Sequence, residues 1–195
     1  MNKNIELLMP IKATPYEHQK KAFAFACDKF GVFDNQLKSR GTALLMEMGT
    51  GKTIVSIAVS GCMYQYGKIN RVLVVAPLSI LGVWEEEFAK FADFPYSLAI
   101  LKGTVAKKKE QLTKLPEEGL QVVVVNYESA WRLEKELLAY NPDLVIADEA
   151  HKLKENRSKQ SQGMQHIGDK AKYKLLLTGT VITNRELDVF SQYRF

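Results

Sequence analysis

Ala43-Leu44-Leu45-Met46-Glu47-Met48-Gly49-Thr50-Gly51-Lys52-Thr53 is an apolar run that breaks into a glycine-flanked loop and continues, from Lys52, into a segment of helical period. A strand, a glycine loop and a helix in that order make a cradle in which backbone N–H groups meet phosphate oxygens. Gly49 and Gly51 let the backbone turn tightly and come close to the phosphates, Thr50 lies between them, and the new helix adds the positive end of its dipole. Lys52 is placed to reach the β- and γ-phosphates, and the Thr53 hydroxyl to ligate Mg²⁺. The strict form of the loop has a glycine five residues before Gly51, where this chain has Met46.

A second motif completes the chemistry. Leu144-Val145-Ile146-Ala147 runs directly into Asp148-Glu149-Ala150-His151. A carboxylate at the end of a buried strand can hold Mg²⁺ through its water shell, and the next carboxylate can orient or deprotonate an attacking water. Asp148 and Glu149 take these roles. His151 gains interest only from its place after them, since a lone histidine is more often a hydrogen-bonded structural residue. Together the two motifs specify a magnesium-nucleotide site, with Lys52, Asp148, Glu149 and His151 as catalytic candidates.

The composition is that of one soluble domain. The chain has 195 residues, 46% hydrophobic and 25% charged, with a net charge of +5 that is compatible with nucleic acid but too small to demand it. There is no uninterrupted apolar segment of membrane-spanning length, and the first residues do not read as a secretory signal. Cys27 and Cys62 belong to no metal-ligand spacing, so reduced core thiols and a cytoplasmic location are expected.

Short apolar runs alternate with longer segments of helical period, the pattern of an α/β domain with a mostly parallel sheet covered by helices on both faces. Strands are expected at 43–46, 72–76, 97–101, 121–126, 144–148 and 174–178. Helices are expected at 19–30, 52–66, 80–91, 105–115, 129–139, 158–167 and 185–193. In the first helix Ala22, Phe23, Ala26, Cys27 and Phe30 share a face, and Gly31 ends it. Right-handed crossovers bring the loops after the strands to one edge of the sheet, where ligands bind in open α/β folds. No repeat or linker marks an internal boundary. Lys107-Lys108-Lys109 and Glu85-Glu86-Glu87 read as solvated helix faces, and Trp84 and Trp131 as rings against the sheet or on a lobe surface, without a chemical role.

In these motifs the chain resembles the Swi/Snf-type duplex-DNA translocases of helicase superfamily two, and among them the short bacterial and phage members. Residues 46–53 look like the family's motif I, where Met46 replaces a usual aspartate. Val74-Val75-Ala76-Pro77-Leu78-Ser79-Ile80-Leu81 with Trp84-Glu85-Glu86-Glu87-Phe88 is similar to motif Ia. Asp148 to His151 and the following Lys152-Leu153-Lys154-Glu155-Asn156-Arg157-Ser158 match motif II and its flank. Leu177-Thr178-Gly179-Thr180 matches motif III, with Val181 where proline is usual, and Pro15-Tyr16-Glu17-His18-Gln19 resembles the adenine-reading glutamine motif.

The resemblance implies a RecA-like P-loop lobe over residues 1–195, the first of two, that uses ATP and Mg²⁺. It implies that Gln19 pairs with adenine near Tyr16, and that Thr178, Gly179 and Thr180 couple the nucleotide state to lobe movement. It also implies that Pro77, Leu78, Ser79, Lys102, Gly103, Thr104, Asn126 and Tyr127 grip the DNA backbone without reading sequence. Lys152, Lys154, Arg157 and Lys159 form a basic cluster that could face DNA or the other lobe. In the family the second lobe carries arginine fingers, worth about 10³–10⁵ in turnover. Residues 1–195 alone are therefore expected to bind Mg-ATP, hydrolyse it very slowly and hold duplex DNA weakly. A non-motor nucleotide-binding module that regulates a partner is the alternative class, and an RNA helicase lobe a third.

Overall fold

The computed structural model describes residues 8–149 and 159–179. The expected helix at 185–193 lies outside them, as do His151, Thr180, Val181 and the basic residues 152, 154 and 157. Six strands, β1 Gly41–Leu45, β2 Arg71–Ala76, β3 Tyr96–Ile100, β4 Leu120–Asn126, β5 Leu144–Asp148 and β6 Tyr173–Thr178, form one sheet in the order β1-β6-β5-β2-β4-β3. Every pairing is parallel.

The valine-rich strands explain the layering. Side chains alternate across a strand, so a segment apolar at every position must be covered on both faces. Val72, Val74, Val122, Val124, Leu144 and Ile146 point into one core, with helices α1 Glu17–Lys29, α2 Lys52–Gln65 and α3 Leu81–Phe91. Leu73, Val75, Val123, Val125, Val145 and Ala147 point into the other, with α5 Tyr127–Arg132, α6 Glu134–Tyr140 and α7 Lys159–Lys170. The short helix α4 Val105–Thr113 lies between β3 and β4 in the chain, and Leu112 beyond its middle packs on this second core. Among the described residues no helix is long and apolar enough to cross a membrane.

Helix α2 is apolar nearly all round, from Ile54 to Met63, because it is enclosed by the sheet and by α1 and α3. In α1, Phe23, Ala26, Cys27 and Phe30 are buried as expected, and Gly31 ends the helix with φ +62°. The expected helix at 129–139 is two helices. Asn126 caps the first by accepting the Ser129 N–H at 3.0 Å, and Leu133 (φ −105°, ψ 17°) separates it from the second. Leu133 and Leu137 are both fully buried. The helix expected from Ile80 is preceded by a 3₁₀ turn, Leu78–Ile80, since Pro77 starts the turn directly at the end of β2.

Gly61 shows how closely α2 is held. A Cβ there would lie 2.2 Å from the ring of Phe94, which is itself packed edge-on against Phe88 and Tyr96. An unhindered helical glycine gains about 0.5–1 kcal/mol on change to alanine. Here overpacking wins, and Gly61→Ala is expected to destabilise by about 1–3 kcal/mol. Urea unfolding measures it, and a raised midpoint would show that the Phe94 ring moves aside freely.

Candidate functional site

The register of three neighbouring strands builds the site. Leu45 at the end of β1 is paired with Thr178 in β6, and Leu177 of β6 with Asp148 in β5. The loop after β1, the Thr178-Gly179 turn and Asp148-Glu149 therefore emerge side by side. The Met46 N–H donates to the Thr178 carbonyl at 3.3 Å, which extends the pairing one residue into the loop.

Gly49 and Gly51 have φ +78° and +91°, so the loop uses the backbone freedom the sequence offered. Gly49 has open space where a Cβ would be, whereas a Cβ on Gly51 would strike the Gln19 amide at 2.3 Å. Lys52 is 8% exposed, and its ammonium donates to the carbonyls of Met46 at 3.0 Å and Glu47 at 3.1 Å. Met46 thus serves through its carbonyl, a group every residue carries, while its side chain packs on the first core. Gly179 lies beside the same ammonium, its Cβ position 3.6 Å from Lys52 Nζ.

Asp148 is 5% exposed at the end of a fully buried strand. Its Oδ2 accepts the indole N–H of Trp84 at 3.0 Å, its Oδ1 accepts the N–H of Glu149 at 2.9 Å, and its carbonyl accepts the Tyr127 hydroxyl at 2.6 Å. Glu149 turns the chain with φ +49°, a left-handed conformation that costs a non-glycine residue about 1–2 kcal/mol. Burial raises the Asp148 pKa from its ordinary value, opposed by the Trp84 hydrogen bond. Burial likewise pushes the Tyr127 hydroxyl well above the usual tyrosine value, with the charges of Asp148 and Glu149 adding to it.

A cleft of about 330 Å³ joins these groups, lined by Gly49, Gly51, Lys52, Thr53, Asp148 and Glu149 and closed on one side by Trp84 and Glu87. Two expectations change here. Trp84 is not merely a ring against the sheet, because its N–H is committed to Asp148. Glu87 is not simply solvated, since it is half-buried on the cleft wall with its carboxyl raised by that burial. Neither role is readable in the sequence, because both depend on α3 reaching the cleft beside Asp148, a residue 64 positions from Trp84.

Gln19 is 6% exposed rather than open at a helix start. Its Oε1 accepts the Tyr16 N–H at 2.9 Å, and its Nε2 donates to the Thr50 carbonyl at 3.2 Å, which also meets His18 Nε2 at 2.9 Å. The amide thus braces the phosphate loop and retains one N–H and one lone pair.

The other three strand ends carry the remaining candidates. Leu78, Lys102, Gly103, Thr104 and Asn126 surround a second cleft of about 440 Å³, with Lys108 and Arg132 on its wall. Ser79 is exposed beside Leu78, after half-buried Pro77. Tyr127 does not join them. It is 5% exposed with its hydroxyl spent on the Asp148 carbonyl, so its expected place on a DNA-facing surface is corrected to the interior. Of the lysine run, Lys109 pairs with Glu136 at 2.5 Å and Lys108 donates to Ser129 Oγ at 2.6 Å. Trp131 lies against α7 between Arg132 and Lys159, each about 5.5 Å from its ring centre.

A family model described as the SNF2-related domain matches residues 16–195. The chain belongs to that family. This SNF2-related domain is 31% identical over 192 residues to Switch 2 of Arabidopsis thaliana, covering 92% of the chain and 21% of the relative. It is 29% identical to a RAD54-like DNA repair and recombination protein of Drosophila ananassae, covering 93% of the chain and 23% of that protein. Among solved structures it is similar to the Sulfolobus solfataricus SWI2/SNF2 ATPase core in complex with double-stranded DNA. The TM-score there is 0.77 and the identity 30%, over 95% of this chain and 36% of that one. The SNF2-related domain thus spans only 13% to 24% of the length of the curated relatives, and its six-stranded α/β architecture is that of the RecA-like lobe the resemblance implies.

The raised Asp148 pKa has a measurable sign. The folded carboxyl takes its proton at a higher pH than the unfolded one, so its contribution to stability is full below about pH 3.9 and is lost as pH rises through the folded value. Asp148→Asn removes the buried charge. The Asn amide also turns a donor toward the N–H of Trp84 or Glu149, so the test is the pH dependence: the parent is expected to lose melting temperature relative to metal-free D148N between about pH 4 and about pH 7. Thermal melts across that range check it, and a parent that gains on D148N as pH rises would contradict it.

Proposed function

We propose that this chain is the ATP-binding lobe of an ATP-dependent duplex-DNA translocase, which hydrolyses ATP and moves on DNA when joined to a second RecA-like lobe. The observation that carries this reading is the convergence of Gly49–Thr53, Thr178-Gly179 and Asp148-Glu149 at three adjacent strand ends, in a chain matched to the SNF2-related family over residues 16–195. The placement among short bacterial and phage members, and a cytoplasmic location, rest on the motif resemblance and composition alone.

The donor set fits Mg²⁺ and a nucleotide. One buried carboxylate and one hydroxyl, Asp148 and Thr53, line the cleft, and among the described residues no group of three or more His, Cys, Asp or Glu forms an all-protein metal cage. Mg²⁺ is commonly held by one or two carboxylates together with substrate phosphates, so this sparse set suits it. In that role Lys52 leaves its carbonyl partners for phosphate oxygens, and Glu149 orients the attacking water. Mg²⁺, when bound, neutralises charge that builds on the phosphates.

Lys102, Ser79, Leu78, Gly103 and the Asn126 turn form the surface proposed for the DNA backbone, beside the nucleotide cleft on the same sheet edge. The Sulfolobus core that shares this fold is a complex with double-stranded DNA, which favours duplex DNA over RNA.

Purified 1–195 is expected to bind a fluorescent ATP analogue with Mg²⁺, to lose that binding on Lys52→Ala, and to turn ATP over very slowly. Duplex DNA affinity should be weak and fall steeply with salt, as phosphate neutralisation requires. Fast DNA-stimulated hydrolysis by 1–195 alone would overturn the two-lobe reading, and salt-insensitive DNA binding would remove the backbone contacts.

Gln19 offers a separate check. Since it braces the phosphate loop, Gln19→Ala is expected to weaken both ATP and GTP, with the larger loss for ATP through the N–H and lone pair left to meet adenine. Equal losses in a competition assay would confine Gln19 to the loop.

A further inference from the structure

We propose that Trp84 is a positioning residue for the magnesium carboxylate: its indole N–H, donated to Asp148 Oδ2, fixes the rotamer in which that side chain faces the phosphate loop. This rests on the reading of the cleft as a Mg-nucleotide site.

The geometry separates two kinds of donor on Asp148. The Glu149 N–H on Oδ1 is local and comes with any residue at that position. The Trp84 N–H on Oδ2 arrives from α3, 64 residues away in sequence, on a ring that is 1% exposed and packed against Phe88. An indole N–H can only donate, so its bond to a carboxylate cannot be reversed by a flip. Donation to an ionised group is also stronger than donation to a neutral carbonyl. With one donor on each oxygen and the Tyr127 hydroxyl on the carbonyl, the side chain and backbone of Asp148 are both anchored from elements that follow β2 and β4.

A buried indole must find some acceptor, and packing alone could account for the contact. The two roles part on a measurement. If the bond only satisfies the indole, its loss lowers stability and leaves the magnesium requirement unchanged. If it positions Asp148, its loss raises that requirement, because partners that orient a metal's ligands are worth about 10–100-fold in metal affinity.

The test uses the 195-residue chain with Trp84 replaced by benzothienylalanine, which keeps the ring's shape and removes the N–H, and with Trp84→Phe as a second variant. The readouts are the Mg²⁺ concentration at half-maximal binding of a fluorescent ATP analogue, the analogue's affinity without Mg²⁺, and the Trp84 indole ¹H–¹⁵N resonance of the parent. The expected result is an about tenfold higher Mg²⁺ requirement in both variants, unchanged magnesium-free affinity, and a parent indole resonance that shifts when Mg²⁺ joins the bound nucleotide. An unchanged Mg²⁺ requirement in the benzothienylalanine chain, or an indole resonance indifferent to Mg²⁺, overturns the proposal. A parent chain that binds no nucleotide overturns the Mg-nucleotide reading, and the proposal falls with it.

Discussion

The parallel pairing of β6 between β1 and β5 is the constraint on which the site depends. A parallel ladder fixes which residues end level with one another, and here it sets Leu45 beside Thr178 and Leu177 beside Asp148. A one-residue slip would reverse every side chain of the slipped strand. Asp148 would then turn away from the phosphate loop, and the buried residues of that strand would exchange cores. Packing on both faces of the sheet therefore enforces the chemistry at its edge.

The same edge divides into two working halves. The ends of β1, β6 and β5 carry the phosphate loop, the Gly179 turn and the carboxylates, whereas those of β2, β4 and β3 carry the second cleft. Asp148 joins them. β5 borders β2, so α3, which follows β2, can bring Trp84 to the carboxylate, and Tyr127, which follows β4, can reach the same residue's carbonyl. Asp148 is thus hydrogen-bonded to the segments that follow both β2 and β4, whose ends border the second cleft.

Much of this was legible in the sequence, for a physical reason. A strand buried on both faces must be apolar at every position, so Val72–Val75, Val122–Val125 and Leu144–Ala147 announce themselves. The phosphate loop is equally local, since its glycines and lysine act within five residues. What escaped is what depends on strand order. Nothing near Trp84 says that β5 lies beside β2, and nothing near Tyr127 says that its hydroxyl meets a carbonyl 21 residues on. The break at Leu133 was hidden as well: the period of residues 129–139 suits one helix with Ala130, Leu133 and Leu137 on one face, so nothing in the pattern marks it.

The loop itself shows how such a site is held ready. Lys52 rests its ammonium on two neutral carbonyls, and the Gln19 amide and His18 ring hold the Thr50 carbonyl, so these three carbonyls of the turn already point to donors. Under the proposed function Lys52, whose ammonium already makes charge-assisted bonds, would exchange two carbonyls for a charged phosphate oxygen and add ion-pair attraction to the hydrogen bond. The exchange moves one flexible side chain and leaves the glycine turn as it is. Binding energy is then largely kept, because ordering costs of about 1–2 kcal/mol for each backbone residue have been met by the fold. Burial of Asp148 works in the opposite sense: desolvation disfavours its charge, which a bound cation would favour under the proposed function. The cleft thus brings the Lys52 ammonium and a desolvated carboxyl together, because strand register sets Asp148 level with the loop after β1.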